Sequence, residues 1–170
     1  MTAKKVLLLG EIGVGKTSLV RRLVHDELPS DYRATMGVDL YRYDMKGLGE
    51  GGLRSLELVL WDLDGNYGKS IFDHVYSRGA SGALIIGDAS RRKTLDHMVA
   101  LAERFQEAMP SRHMSFVVNK LDLIGASDDG ILPEALRVAS QPIVWTSAMT
   151  AQNVLTAFKQ AANAILRREI

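Results

Sequence analysis

Short apolar runs alternate along this chain with stretches in which apolar residues recur every three or four positions. Residues 6–9 are apolar and end at Gly10, which predicts a buried strand. Residues 16–25 then place Leu19, Val20, Leu23 and Val24 on one helical face. Residues 38–45 and 56–61 read as two strands. Gly47, Gly49, Gly51 and Gly52 between them mark the turn of a β-hairpin. Residues 82–87 form another buried strand, and Leu95, Met98, Val99, Ala102, Phe105 and Met109 keep helical spacing. A strand over 114–118, a short helix over 132–139 and a strand over 142–145 follow. Val154, Phe158, Ala161, Ala162, Ile165 and Leu166 line one face of a final helix. No repeat, linker or low-complexity segment interrupts the pattern.

Strands alternating with helices imply an α/β layered fold. With 170 residues the chain reads as one domain over 1–170, long enough to bury a core. Its 46% hydrophobic content excludes a disordered chain. Lys and Arg number 21 against 20 Asp and Glu, so no broad nucleic-acid surface is expected. The absence of cysteine excludes disulfides, thiolate metal sites and a cysteine nucleophile, and fits a reducing cytoplasm. Thr2 excludes N-myristoylation, and Leu166-Arg167-Arg168-Glu169-Ile170 offers no cysteine to prenylate. Two readings stay open: a cytoplasmic protein without a direct lipid anchor, or a chain whose anchoring tail was trimmed.

In an open α/β sheet, ligands bind beyond the carboxyl ends of the strands. The candidate motifs all fall there. Gly10-Glu11-Ile12-Gly13-Val14-Gly15-Lys16-Thr17 satisfies GxxxxGK[ST] between a strand and a helix. Glycines let the backbone wrap closely round phosphate, and the N–H groups of Gly13, Val14, Gly15, Lys16, Thr17 and Ser18 form an anion nest at a helix start. Lys16 carries charge to the β- and γ-phosphates, and the Thr17 hydroxyl suits Mg²⁺. The bland alternative, a glycine-rich turn with a chance Lys-Thr, does not explain the strand and helix on either side.

Asn119-Lys120-Leu121-Asp122 follows the fifth strand. The Asp122 carboxylate can accept from both N1–H and the exocyclic amine of guanine; adenine offers no such donor pair, which would leave a buried Asp122 unpaired. The Lys120 stem can cover the ring face, and Asn119 can tie this loop to the phosphate loop. Thr146-Ser147-Ala148 follows the last strand, with small residues at Ser147 and Ala148 that let a backbone N–H reach the guanine O6. Alone that tripeptide is weak; in register with the others it corroborates them.

On these motifs the chain resembles the Ras superfamily of small GTPases. Tyr32-Arg33-Ala34-Thr35-Met36-Gly37-Val38-Asp39 looks like Rab switch I. Leu60-Trp61-Asp62 looks like the strand entering switch II, and Tyr76-Ser77-Arg78-Gly79-Ala80-Ser81-Gly82 like the Rab stretch after it. The resemblance implies a P-loop NTPase three-layer fold: a six-stranded, mostly parallel sheet with one antiparallel edge strand and about five helices. It implies a GTP/GDP switch with Mg²⁺ as cofactor, Thr35 as γ-phosphate and Mg²⁺ sensor, and Asp62 holding the metal through water. It also implies an effector, an exchange factor and a GTPase-activating protein as partners. Trp61 and Tyr76 match two aromatic positions with which Rabs bind effectors, and Leu40 stands at the third; ordinary core packing is the alternative for all three.

Switch II departs from the family's DTAGQ: it reads Asp62-Leu63-Asp64-Gly65-Asn66. Gln there positions the attacking water. Asn66 is shorter by one carbon–carbon bond, about 1.5 Å, and a misplacement of about 1 Å can cost on the order of 100-fold. Asp64 adds a negative charge beside the γ-phosphate, and Ile12 replaces a usually small residue in the same corner. Catalytic roles fall to Lys16, Thr35, Gly65 and Asn66, with slow GTP hydrolysis expected. Arg33 is either an in-cis arginine finger or an ordinary surface residue. Leu28 replaces an aromatic that stacks on guanine, which suggests a looser nucleotide. Rival readings are a GTP-held scaffold with little hydrolysis and an ATP-using P-loop enzyme, against which Asp122 argues. His25, His74, His97 and His113 show no metal-ligand spacing.

Overall fold

The apolar run near the start of the chain becomes the strand on which the sheet is centred. A computed structural model describes residues 2–28, 31, 33–63, 65 and 77–168. Six strands, β1 (Thr2–Leu9), β2 (Val38–Leu48), β3 (Arg54–Leu63), β4 (Ala80–Asp88), β5 (His113–Asn119) and β6 (Ile143–Trp145), form one sheet in the order β2-β3-β1-β4-β5-β6. Only β2 and β3 pair antiparallel; the other neighbours are parallel. Four α-helices stand among the described residues: α1 (Lys16–His25), α2 (Arg92–Ala108), α3 (Glu134–Arg137) and α4 (Val154–Arg167). This is the expected P-loop NTPase architecture.

The period of two in β1 explains the three layers. Val6 and Leu8 face one side and pack with Leu19 and Val20 of α1 and Phe158, Ala161 and Ile165 of α4. Leu7 and Leu9 face the other and pack with Leu95, Met98 and Phe105 of α2 and Leu136 of α3. A strand buried on both faces has no polar alternation, which is why residues 6–9 read as a continuous apolar run.

Three boundaries differ from the sequence pattern, each for a local reason. The β2–β3 pairing extends past the predicted strand ends to Leu48↔Arg54, because Leu48, like Met45 before it, is buried in the core. Its turn takes positive φ at Gly47, Gly49, Gly51 and Gly52, which is the use of the four glycines. The short helix over 132–139 shrinks to one turn, Glu134–Arg137, because Pro133 fixes an extended backbone immediately before it. Met109 ends the α2 periodicity as its cap, with φ −142°.

β1 lies between β3 and β4, so the chain leaves it in opposite directions across the sheet. That switch point opens a crevice beyond the carboxyl ends of the strands. The loops after β1, β3, β4, β5 and β6 all reach this edge.

Candidate functional site

Residues 10–17 leave β1 and turn straight into α1. Gly13 (φ 77°) and Gly15 (φ 99°) take left-handed backbone that side chains rarely adopt. A Cβ on Gly15 would collide with the Asn119 side-chain amide, and one on Gly10 would come within 2.5 Å of the Ile86 carbonyl oxygen. Val14 is buried and anchors the loop in the core. The Lys16 ammonium, on a residue only 6% exposed, donates to the carbonyls of Gly10 at 2.9 Å and Glu11 at 3.1 Å. A cation is thereby held over a ring of backbone N–H groups at a helix start, the arrangement that suits phosphate.

A cleft of about 600 Å³ runs from this loop along switch I. Its walls include Gly13, Gly15, Lys16, Thr17, Ser18 and Thr35. Ile12, Arg33 and Gly65 also line it. Leu28 forms an apolar wall and packs on the core beneath.

Three oxygen donors converge at the cleft floor. Thr17 Oγ1 donates to Asp62 Oδ2 at 2.5 Å and lies 2.8 Å from Thr35 Oγ1. Asp62 is wholly buried, and its Oδ1 has no hydrogen-bond partner. Burial pushes its carboxyl above the ordinary range; the Thr17 hydroxyl and Lys16 ammonium offset part of this, and Asp39 raises it further. Asp39 stands directly opposite Asp62 in the β2–β3 register. An orphaned buried carboxylate oxygen, two hydroxyls and a neighbouring carboxylate form a hard-oxygen set that fits Mg²⁺.

The base motifs meet at the ends of β5 and β6. The Asn119 side chain, 2% exposed, donates through Nδ2 to the Val14 carbonyl at 3.0 Å. Its Oδ1 accepts from Thr146 Oγ1 at 3.0 Å and Ala148 N at 3.2 Å. One amide thus locks the phosphate loop to both base loops. Asp122 is exposed, not buried, in the chain itself; its Oδ1 accepts from Ser147 Oγ at 2.6 Å, which orients the carboxylate. Lys120 takes a left-handed φ of 65°, and its Nζ pairs with Asp88 Oδ2 at 3.0 Å, which fixes the stem that was expected to cover a base.

Asp64, Asn66 and Tyr76 lie outside the described residues, as do Tyr32 and His74. Leu40 (57% exposed) pairs across the strands with half-buried Trp61, and Met36, on the cleft wall, is 89% exposed. Lys5 Nζ sits 3.6 Å from the centroid of a Trp61 ring.

Sequence reasoning missed Asp39 and the pair Asp88 and Arg91. Asp39 acquires its place only through strand register. Asp88 is 1% exposed and paired with Arg91 and Lys120; the apolar run before it gave no sign that an acid there would be structural. No group of three or more His, Cys, Asp or Glu suited to a metal occurs among the described residues. No helix among them is long and apolar enough to cross a membrane.

The sequence model of the Ras family matches residues 5–167. Ras-related protein Rab-32 of Mus musculus is 41% identical over 92 residues, which is 54% of this chain and 40% of that protein. Ras-related protein Rab-34 of Rattus norvegicus is 31% identical over 166 residues, 93% of this chain and 62% of that protein. Ras-related protein Rab-4B of Homo sapiens is 30% identical over 168 residues, 96% of this chain and 76% of that protein. The match therefore spans less than half the length of Rab-32 and under two thirds of Rab-34. With this extent of agreement, from the phosphate loop through the base loops to the last helix, the chain belongs to the Ras family and is Rab-like within it.

Proposed function

We propose that this chain, one G domain over residues 1–170, binds GTP or GDP with Mg²⁺ and acts as a switch that hydrolyses GTP slowly. One observation carries the reading. The phosphate loop, the Thr17–Thr35–Asp62 oxygen set and the Ser147-held Asp122 all open on the same sheet edge, joined through Asn119. Lys16 meets the β- and γ-phosphates, with the nest of Gly13, Val14, Gly15, Thr17 and Ser18 around them. Asp122 reads the guanine edge, Lys120 covers the ring, and Ser147 and Ala148 present backbone to O6. Thr17, Thr35 and Asp62 hold the metal, Asp62 through water. Bound there, Mg²⁺ supplies positive charge that stabilises the phosphate oxygens during transfer.

Thr35 sits where it can distinguish GTP from GDP, since its hydroxyl faces Thr17 across the cleft. Gly65 meets the phosphate loop at Ile12, so switch II reports on the same phosphate. Turnover is slow in this account because Ile12 fills the corner in which a water must be positioned, and because Asn66 and Asp64 replace the family's Gln and Ala. Met36, Leu40 and Trp61 form the surface for an effector, with Tyr76 as a further contact; exchange factors and GTPase-activating proteins are the other expected partners. Nucleic acid has no place in this reading.

Displacement of a fluorescent guanine nucleotide in Mg²⁺ buffer tests it. GTP and GDP should displace the probe, and ATP should not at equal concentration. Equal displacement by ATP and GTP would rule out guanine recognition by Asp122.

A further inference from the structure

We propose that Arg91 is a positioning residue that holds the apex of the phosphate loop, at Ile12, in the place where Gly65 of switch II meets it. The inference rests on the reading of the cleft as a guanine-nucleotide site.

The case starts at Asp88, the last residue of β4. Asp88 is in register with Asn119 at the end of β5, so the two polar side chains leave the sheet side by side. Asn119 ties the base loops to Val14 in the body of the phosphate loop. Asp88 makes a second, separate tie. Its Oδ1 accepts from Ser90 N at 2.9 Å and Ser90 Oγ at 2.6 Å, which turns the chain sharply into α2. Its Oδ2 is shared by Lys120 Nζ at 3.0 Å and Arg91 Nε at 2.9 Å. Burial would push this carboxyl up, but the hydrogen bonds from Ser90, Arg91 and Lys120 outweigh it and hold it below the ordinary carboxylate range.

Arg91 does more than neutralise Asp88. Its Nη2 donates to the Ile12 carbonyl at 2.8 Å, a link across 79 residues of sequence. A planar guanidinium can bond a carboxylate through Nε and a carbonyl through Nη2 at once; an ammonium has no such fork. The same residue, Ile12, is met on its other side by switch II. A Cβ added to Gly65 would lie 2.5 Å from Ile12 N and 2.8 Å from the Glu11 carbonyl carbon. Ile12 is therefore gripped at its carbonyl by Arg91 and abutted at its nitrogen by Gly65. A carbonyl in a loop between β1 and α1 has no ladder partner, so loss of Arg91 frees that peptide to move.

The consequence is specific. Asn119, Asp122 and Ser147 do not depend on Arg91, so base selectivity should not change when it is removed. The γ-phosphate end, where Ile12 and Gly65 meet, should loosen. A charge-assisted hydrogen bond of this kind supports an effect of about ten-fold on a nucleotide that carries a γ-phosphate.

The test measures affinities of the full chain for GDP and a non-hydrolysable GTP analogue, with Mg²⁺, in wild type, Arg91→Ala and Arg91→Lys. Arg91→Ala should weaken the GTP analogue about ten-fold, change GDP much less, and leave the preference for guanine over adenine as it was. Arg91→Lys keeps the ion pair with Asp88 but not the fork, and should show the same shift in the GTP-to-GDP ratio. A wild-type ratio in Arg91→Lys would overturn the proposal, because it would mean that Arg91 serves only to neutralise Asp88. Equal weakening of GDP and GTP would overturn it too. Failure of the wild type to bind any guanine nucleotide is a different result: it would remove the reading of the cleft itself.

Discussion

Asp122 and Asp62 are carboxylates on one sheet edge, yet they are held in opposite ways. Asp122 stands in solvent, aimed by a single hydroxyl from Ser147. Asp62 is sealed from solvent with one oxygen unpaired, and burial raises its carboxyl. The first belongs to a rigid region, where Asn119 bolts the ends of β5 and β6 to the phosphate loop. The second stands beside Thr35 and the Gly65–Ile12 contact, where two loops that resemble the family's switches approach the phosphate loop. In the proposed reading, recognition of the base is built into strand ends, whereas the metal and γ-phosphate end depends on loops. A switch needs that division: one end to hold the nucleotide in either state and another to respond to which nucleotide it is.

The sharpest way to break this comparison is at Asp122. Asp122→Asn should reverse selectivity from guanine towards xanthine nucleotides by roughly 10³-fold, because the new amide nitrogen would donate to the xanthine 2-oxo oxygen but would meet the guanine exocyclic amine donor to donor. Affinities for GDP and the xanthine analogue, measured side by side, check this. Lys16→Ala should weaken every nucleotide by on the order of 10²-fold without altering base preference, and Thr17→Asn should lose Mg²⁺-nucleotide binding to a similar degree. Titration calorimetry with GDP and Mg²⁺ tests both, and unchanged affinity in both would contradict the phosphate-loop assignment.

A fourth variant separates stability from binding. His113, far from the cleft in β5, is pushed down to about 4 by burial and by nearby Arg168. Unfolded, it titrates near 6.5, so the unfolded chain takes up this proton first as pH falls. The stability contributed is therefore present above pH 6.5 and declines between about pH 6.5 and 4. Discounted for solvent screening, the loss is about 2 kcal/mol. Denaturant melts of wild type and His113→Gln across that range should show a flatter pH dependence in the variant, with guanine affinity at pH 7.5 the same in both. The smallest expected effect is at the metal: Asp62→Asn should raise the Mg²⁺ concentration needed to retain GDP by about ten-fold, read from nucleotide release at graded Mg²⁺. A release rate indifferent to this substitution would remove Asp62 from the metal site.

How far each end was legible follows from its chemistry. The phosphate loop is readable because its glycines must take positive φ or admit a close neighbour, and a lysine and threonine must follow at fixed spacing. The base motif is readable because Asn119, Lys120 and Asp122 act from one short loop. The central strands near the site are readable as buried strands because their apolar runs are covered on both faces. Asp39 and Arg91 were not readable. Asp39 meets Asp62 only through antiparallel register, and Arg91 reaches Ile12 only because β1 and β4 are neighbours. Pairings between distant elements leave no spacing in the chain. The exposure of Asp122 was also unforeseen, since the residue that reads a ligand is covered by the ligand and not by the fold.

The proposal that joins both regions is that this protein binds GTP and turns it over slowly. Its most direct test is phosphate release in a single turnover from protein pre-loaded with GTP, with no partner present. The wild type should release phosphate slowly, and Asp64→Ala with Asn66→Gln should release it roughly 10- to 100-fold faster, with Ile12→Gly adding less than an independent effect because the three residues share one corner. A wild type that already matches the restored variant would contradict the account and show that this chain positions its water by another route.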